Sequence, residues 1–123
     1  MATALVIDDN PNNMVLICDI LEYNGYTTLQ AEVGMKGYLL AKEKLPDFIV
    51  LDIQLPDING YDVLEKIRSN ENTKSITVIA MTSYAMVGDE AKFLAAGCDG
   101  YVEKPINPSL IIQQIEQALE KRA

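Results

Sequence analysis

Apolar residues along the chain fall into two kinds of pattern that alternate from end to end. Short apolar runs occur at Ala4-Leu5-Val6-Ile7, Phe48-Ile49-Val50-Leu51 and Ile76-Thr77-Val78-Ile79-Ala80-Met81, as expected of central strands covered on both faces. Thr27-Thr28-Leu29-Gln30-Ala31 is polar enough for a sheet edge, and Gly100-Tyr101-Val102-Glu103 supplies a fifth strand. Between these runs the apolar positions recur at helical spacing. Asn10-Pro11 offers an N-cap and a first-turn proline, followed by Met14, Ile17, Cys18 and Leu21, with Gly25 as a stop. Further helices are predicted over Gly34–Lys44 before Pro46, over about Asn59–Ser69 with Val63, Leu64 and Ile67 inward, and over about Ala85–Ala96 before Gly97. A fifth starts near Pro108 and turns Leu110, Ile111, Ile115, Ala118 and Leu119 inward.

Strand–helix alternation of this kind predicts an α/β fold with a parallel sheet. Short right-handed crossovers favour an open, doubly wound five-stranded sheet flanked by five helices, in the flavodoxin-like order 2-1-3-4-5. Ligands then bind beyond the carboxyl ends of the strands, at the switch point between the first and third, so the loops after Ile7 and Leu51 should frame the site. The repeats fill residues 1–123 with no linker, and the expected organisation is one domain.

Composition narrows the chemistry. Ten Lys and Arg stand against 18 Asp and Glu, a net charge of −8 with a pI near 4.4. Such a field repels phosphate backbones and anionic lipid, so neither nucleic acid nor a membrane is an expected partner. There is no histidine, which removes Ser-His-Asp and Cys-His nucleophilic catalysis and imidazole-bound metals. Cys18 and Cys98 form no CxxC pair and are read as reduced, core-filling thiols in helical stretches of a cytoplasmic protein.

The informative residues lie at strand ends. The first strand ends in Asp8-Asp9 and the third in Asp52, which delivers three carboxylates to one sheet edge. Two like charges about 4 Å apart cost roughly 4 kcal/mol at an effective dielectric near 20, so such a cluster calls for raised pKa values or a cation. Hard oxygen donors without sulfur or imidazole select Mg²⁺, with Mn²⁺ as the alternative. The fourth strand ends at Thr82-Ser83 and the fifth leads into Lys104-Pro105, adding hydroxyls and an ammonium to the same edge.

With these elements in order, the chain resembles the receiver domain of bacterial two-component response regulators over essentially its whole length. The residues that carry the likeness are Asp8-Asp9, Asp52 within Leu51-Asp52-Ile53-Gln54-Leu55-Pro56-Asp57-Ile58-Asn59-Gly60, Thr82-Ser83, and Tyr101 three residues before Lys104-Pro105. Thr82 follows Asp52 by 30 residues and Lys104 by 52. It is particularly similar to stand-alone receivers of cell-division and chemotaxis regulators, with a receiver cut from a hybrid kinase as the alternative.

The resemblance implies that Asp52 takes a phosphoryl group from a phosphohistidine on a sensor histidine kinase or a histidine phosphotransfer protein. It implies that Asp9, Asp52 and the Gln54 backbone carbonyl bind Mg²⁺, with Asp8 acting through water, and that Lys104 and Thr82 assist. Thr82 and Tyr101 would switch the face made by the fourth helix, fifth strand and fifth helix, where Met86 and Lys92 also lie, toward a downstream protein effector. Gln54 and Tyr84 match positions that set phosphoryl lifetime, and Pro105 matches a cis proline. The implied product is a signalling module, monomeric or weakly dimeric, rather than a turnover enzyme. A phosphatase of the haloacid-dehalogenase type also uses an aspartyl nucleophile with Mg²⁺, but it wants a second aspartate two residues on, where this chain has Gln54.

Overall fold

A computed structural model describes residues 2–83 and 89–122. The elements alternate strictly: β1 (Thr3–Ile7), α1 (Pro11–Tyr23), β2 (Thr27–Ala31), α2 (Gly34–Lys44), β3 (Phe48–Asp52), α3 (Gly60–Ser69), β4 (Thr77–Thr82), α4 (Asp89–Ala96), β5 (Gly100–Glu103) and α5 (Pro108–Arg122). The strands form one parallel sheet in the expected order, β2-β1-β3-β4-β5.

Side chains alternate across the sheet, and each face has its own core. Ala4, Val6, Phe48, Val50, Ile79 and Met81 pack with Met14, Ile17 and Leu21 of α1 and Ile111 and Ile115 of α5. Leu5, Ile7, Ile49, Leu51, Val78 and Ala80 pack on the other side with Val63, Leu64 and Ile67 of α3 and Phe93 of α4. β3 and β4 are buried at every position, while β2 at the sheet edge is exposed or half-buried at four of five. That difference is why the central strands read as continuous apolar runs and β2 does not.

Local signals set most boundaries. The Asn10 side chain accepts from the Asn13 N–H at 3.1 Å, and Asn59 does the same for Asp62 at 3.1 Å, so Asn59 caps α3 rather than joining it. Gly25 and Gly97 end α1 and α4 with φ of +91° and +111°, a region open to glycine without steric cost. α2 ends differently, on Leu45 at φ +47°.

Three sequence expectations need correction or bounding. Leu110 is 44% exposed, because the inward stripe of α5 runs through Ile111, Ile115 and Ala118 and Leu110 stands about 100° off it. Cys98 is buried as expected, but it lies in the turn after α4 rather than in a helix. The first residues of the fourth predicted helix, together with Tyr84 and Met86, lie outside the described residues.

Candidate phosphoacceptor site

β1, β3, β4 and β5 end at the same sheet edge, and their parallel register decides what meets there. Asp52 closes β3 opposite Met81, and Thr82 closes β4 opposite Glu103. Asp8 follows the last residue of β1, its N–H held by the Ala31 carbonyl at 3.0 Å. The Lys104 N–H donates to the Thr82 carbonyl at 2.8 Å, which extends the β4–β5 ladder by one rung. The next peptide bond, Lys104–Pro105, is cis.

This scaffold brings Asp8, Asp52 and Lys104 into direct contact. The Lys104 ammonium lies 2.9 Å from Oδ2 of Asp52 and 3.3 Å from Oδ2 of Asp8. Asp52 Oδ1 accepts from the Gln54 N–H at 2.9 Å. Asp8 Oδ1 accepts from the Asn10 N–H, and Oδ2 from the Asn13 side-chain amide, both at 2.9 Å. Asp8, Asp52 and Thr82 are buried, whereas Asp9, Gln54 and Ser83, each adjacent or nearly so in sequence, are exposed. The site therefore has a buried floor and an open rim. Each Asp52 oxygen carries one of these bonds, and a carboxylate oxygen has two lone-pair positions, so acceptor capacity remains at both.

Electrostatically the floor is short of positive charge. Oxygen atoms of Asp8, Asp9 and Asp52 lie within 4.8 Å of one another, and among the described residues the cation in contact with this group is Lys104, through Asp8 and Asp52. Burial is the largest influence on Asp52 and raises its pKa, and the charge of Asp8 adds to this. The Gln54 N–H and Lys104 pull the other way without overcoming it. Burial also works against the charge on Lys104, but the bond to Asp52 and the charges of Asp52 and Asp8 outweigh it, and the ammonium pKa rises. Such a cluster fits a hard divalent cation: an all-oxygen donor set, close enough to share one ion, with one acid exposed to exchange water.

Thr82 and Tyr101 lie on a different face. Tyr101 pairs in register with Ala80, one pleat before Thr82, so both belong to the α4 side of the sheet. The Tyr101 ring is half-buried, 5.6 Å from the Phe93 ring, which stacks in turn on Tyr61 at 5.8 Å.

Several structural partners left no recognisable trace in the sequence. Asn13 braces Asp8 from the first turn of α1. At the opposite sheet edge, Asp99 sits between Arg68 at 3.0 Å and Arg122 at 2.7 Å and accepts the Val78 N–H at 2.9 Å. These partners are 31 and 23 residues from Asp99, too distant for any local pattern to announce.

A family model described as the response regulator receiver domain matches residues 4–116. The chain belongs to the response regulator receiver family. It is 38% identical over 117 residues to the polar-differentiation response regulator DivK of Brucella ovis, covering 95% of each chain. Among solved structures, a CheY-like receiver domain protein from Methanospirillum hungatei superposes with a TM-score of 0.89 at 28% identity, covering 99% of this chain and 96% of that one. The receiver domain of a sensor histidine kinase from Pseudomonas aeruginosa is similar at a TM-score of 0.88 and 28% identity, covering 97% of this chain and 98% of that one. It was solved with a magnesium ion coordinated in its active-site cleft. Among the described residues, no helix of this receiver is long and apolar enough to cross a membrane.

Proposed function

We propose that this receiver, acting as one unit over residues 1–123, is a Mg²⁺-dependent phosphoacceptor of a two-component pathway, with Asp52 as the residue modified. The observation that carries this reading is the floor itself: one buried carboxylate, bonded to Lys104, faces two further carboxylates within 4.8 Å. Repulsion between these acids costs stability, and a packed apolar edge would have avoided it. Asp9, Asp52 and the Gln54 carbonyl would hold the ion, with Asp8 reaching it through water. Bound Mg²⁺ supplies positive charge to the equatorial phosphoryl oxygens.

The chain's own groups do the rest. An Asp52 carboxylate oxygen forms the new O–P bond as the P–N bond to a donor imidazole breaks. The departing nitrogen keeps the bonding electrons and takes up a proton from solvent. The Gln54 N–H, donating to Oδ1, fixes the rotation of the carboxylate before attack. Lys104 moves from carboxylate to phosphoryl oxygen as charge builds there. The imidazole comes from a partner, a sensor kinase or phosphotransfer protein, since this chain has no histidine.

The phosphorylated aspartate carries nearly two added negative charges and new acceptor oxygens, which draw in the Thr82 hydroxyl. Tyr101, one pleat back on the same face, follows into the place that Thr82 vacates, and the surface of α4, β5 and α5 changes for a downstream protein in the cytoplasm. A groove of about 530 Å³ between β5 and α5, lined in part by Tyr101, Glu103 and Leu110, lies on that surface. The test is incubation with Mg²⁺ and acetyl phosphate followed by intact mass. One added phosphoryl group, absent in Asp52→Asn and blocked by chelator, is expected. An unmodified parent protein, or equal uptake by Asp52→Asn, overturns the reading.

A further inference from the structure

The loop between β3 and α3 carries the Gln54 backbone, and it is held by close approach at its far end and by a tether to another element in its middle. At its far end, a Cβ on Gly60 would lie 2.5 Å from the Ile53 Cα and 2.7 Å from the Asp52 carbonyl oxygen, and the Gly60 N–H donates to the Ile53 carbonyl at 2.7 Å. In the middle, Asp57 leaves the loop and reaches the start of α2. Its two carboxylate oxygens accept the Gly34 N–H at 2.7 Å and the Met35 N–H at 2.9 Å. The residue in the N-cap position of α2 is Val33, whose side chain makes no capping bond. The helix thus takes its cap from 22 and 23 residues away. Gly34 is glycine for a related reason: a Cβ there would come within 2.8 Å of Ile58 and Val63 and 3.3 Å of Asp57.

A helix N-terminus can be capped by its own N-cap residue with a single Ser, Thr, Asp or Asn. Capping α2 from the β3–α3 loop instead joins two elements that otherwise meet through side-chain packing. The backbone N–H groups that Asp57 binds also hold its carboxyl below the usual range, so the tether is charged at neutral pH. The loop it restrains contributes the Gln54 N–H that orients Asp52.

We propose that Asp57 is a positioning residue for the phosphoacceptor site: by anchoring the loop to α2 it sets the place of the Gln54 backbone and hence the site's affinity for a divalent cation. This rests on the Mg²⁺ reading above. Asp57 touches neither ion nor phosphoryl group.

The test separates the tether from helix capping. Asp57→Ala removes both, whereas Val33→Ser in the Asp57→Ala background restores a local cap without restoring the tether. Mg²⁺ affinity by calorimetry and the urea midpoint are read for parent, single and double variants. Asp57→Ala should weaken Mg²⁺ binding about tenfold and lower the midpoint, and Val33→Ser should return the midpoint while leaving affinity about tenfold weak. Unchanged affinity in Asp57→Ala, or affinity returning together with stability, overturns the proposal. A parent that takes no Mg²⁺ overturns the phosphoacceptor reading instead. The tether is then judged in ion-free protein by the Gln54 amide resonance, which must shift in Asp57→Ala and stay shifted in the double variant. A resonance that does not move overturns it.

Discussion

Two ionic clusters occupy opposite edges of the same sheet, about 13 Å apart along β4 at the usual strand rise, and they are built on opposite principles. At the starts of β4 and β5, Asp99 lies between two guanidinium groups and caps the Val78 N–H. Arg68 spends its remaining donors on the carbonyls of Lys74, Ile76 and Gly97. At the strand ends, three carboxylates meet one ammonium. The first cluster is complete by itself and closes loops onto the sheet. The second is electrostatically unfinished, and what it lacks is positive charge. A folded chain tolerates such a deficit where binding a ligand supplies what is missing.

Four experiments sharpen this contrast, in order of expected effect. Asp99→Ala leaves two arginines without their carboxylate and frees the Val78 N–H. It should cost about 3 kcal/mol of stability, read from urea unfolding, while phosphoryl uptake from acetyl phosphate persists. A loss below about 1 kcal/mol would contradict the structural role of this cluster.

At the other edge the ligand itself should stabilise. Mg²⁺ at about a hundredfold its dissociation constant should add about 2.7 kcal/mol to the parent. Asp8→Asn should lose most of that gain, yet lie within about 1 kcal/mol of the parent when ion-free, because the charge removed faces two other carboxylates as well as Lys104. Equal response of Asp8→Asn and parent to Mg²⁺ would show that the acids do not share the ion.

Cys98, packed beside the Asp99 cluster, gives a pH signature. Burial pushes its thiol up to about 12 from 9.0, so between those values the unfolded chain releases a proton that the folded chain keeps. Stability should be unaffected by this group below pH 9 and fall as pH rises above it, by up to about 1.4 kcal/mol per unit. Cys98→Ala should flatten that fall, and an unchanged slope would place the alkaline sensitivity elsewhere. The smallest effect belongs to Arg122→Ala. About a third of this side chain is exposed, so solvent screening limits its loss to about 1 kcal/mol, well short of that for Asp99→Ala in the same urea assay.

The two clusters also differ in how far the sequence disclosed them. Asp8-Asp9 and Asp52 interrupt apolar strands at their ends, where chain order alone brings neighbouring strand tips together, and Lys104 follows β5 in the same way. The sheet order is readable for the same reason, since apolar residues fill most of β1, β3 and β4, as central strands require. Arg68, Asp99 and Arg122 each look like ordinary surface charges, and only the packing of α3 and α5 against the starts of β4 and β5 unites them. Asp57 was equally silent: its partners are two backbone N–H groups on another element, and a backbone donor leaves no letter in the sequence. Leu110 is misplaced because an apolar residue beside the inward stripe can face either way: Val63 and Leu64, adjacent on α3, are both buried, whereas of Leu110 and Ile111 only Ile111 is.

The guanidinium of Arg122 makes the last turn of α5 a fastener for the far end of the sheet. Any tag or fusion joined directly behind it pulls on a clasp whose other half sits between β4 and β5, so a flexible spacer there protects the fold at a point remote from the proposed phosphoacceptor site.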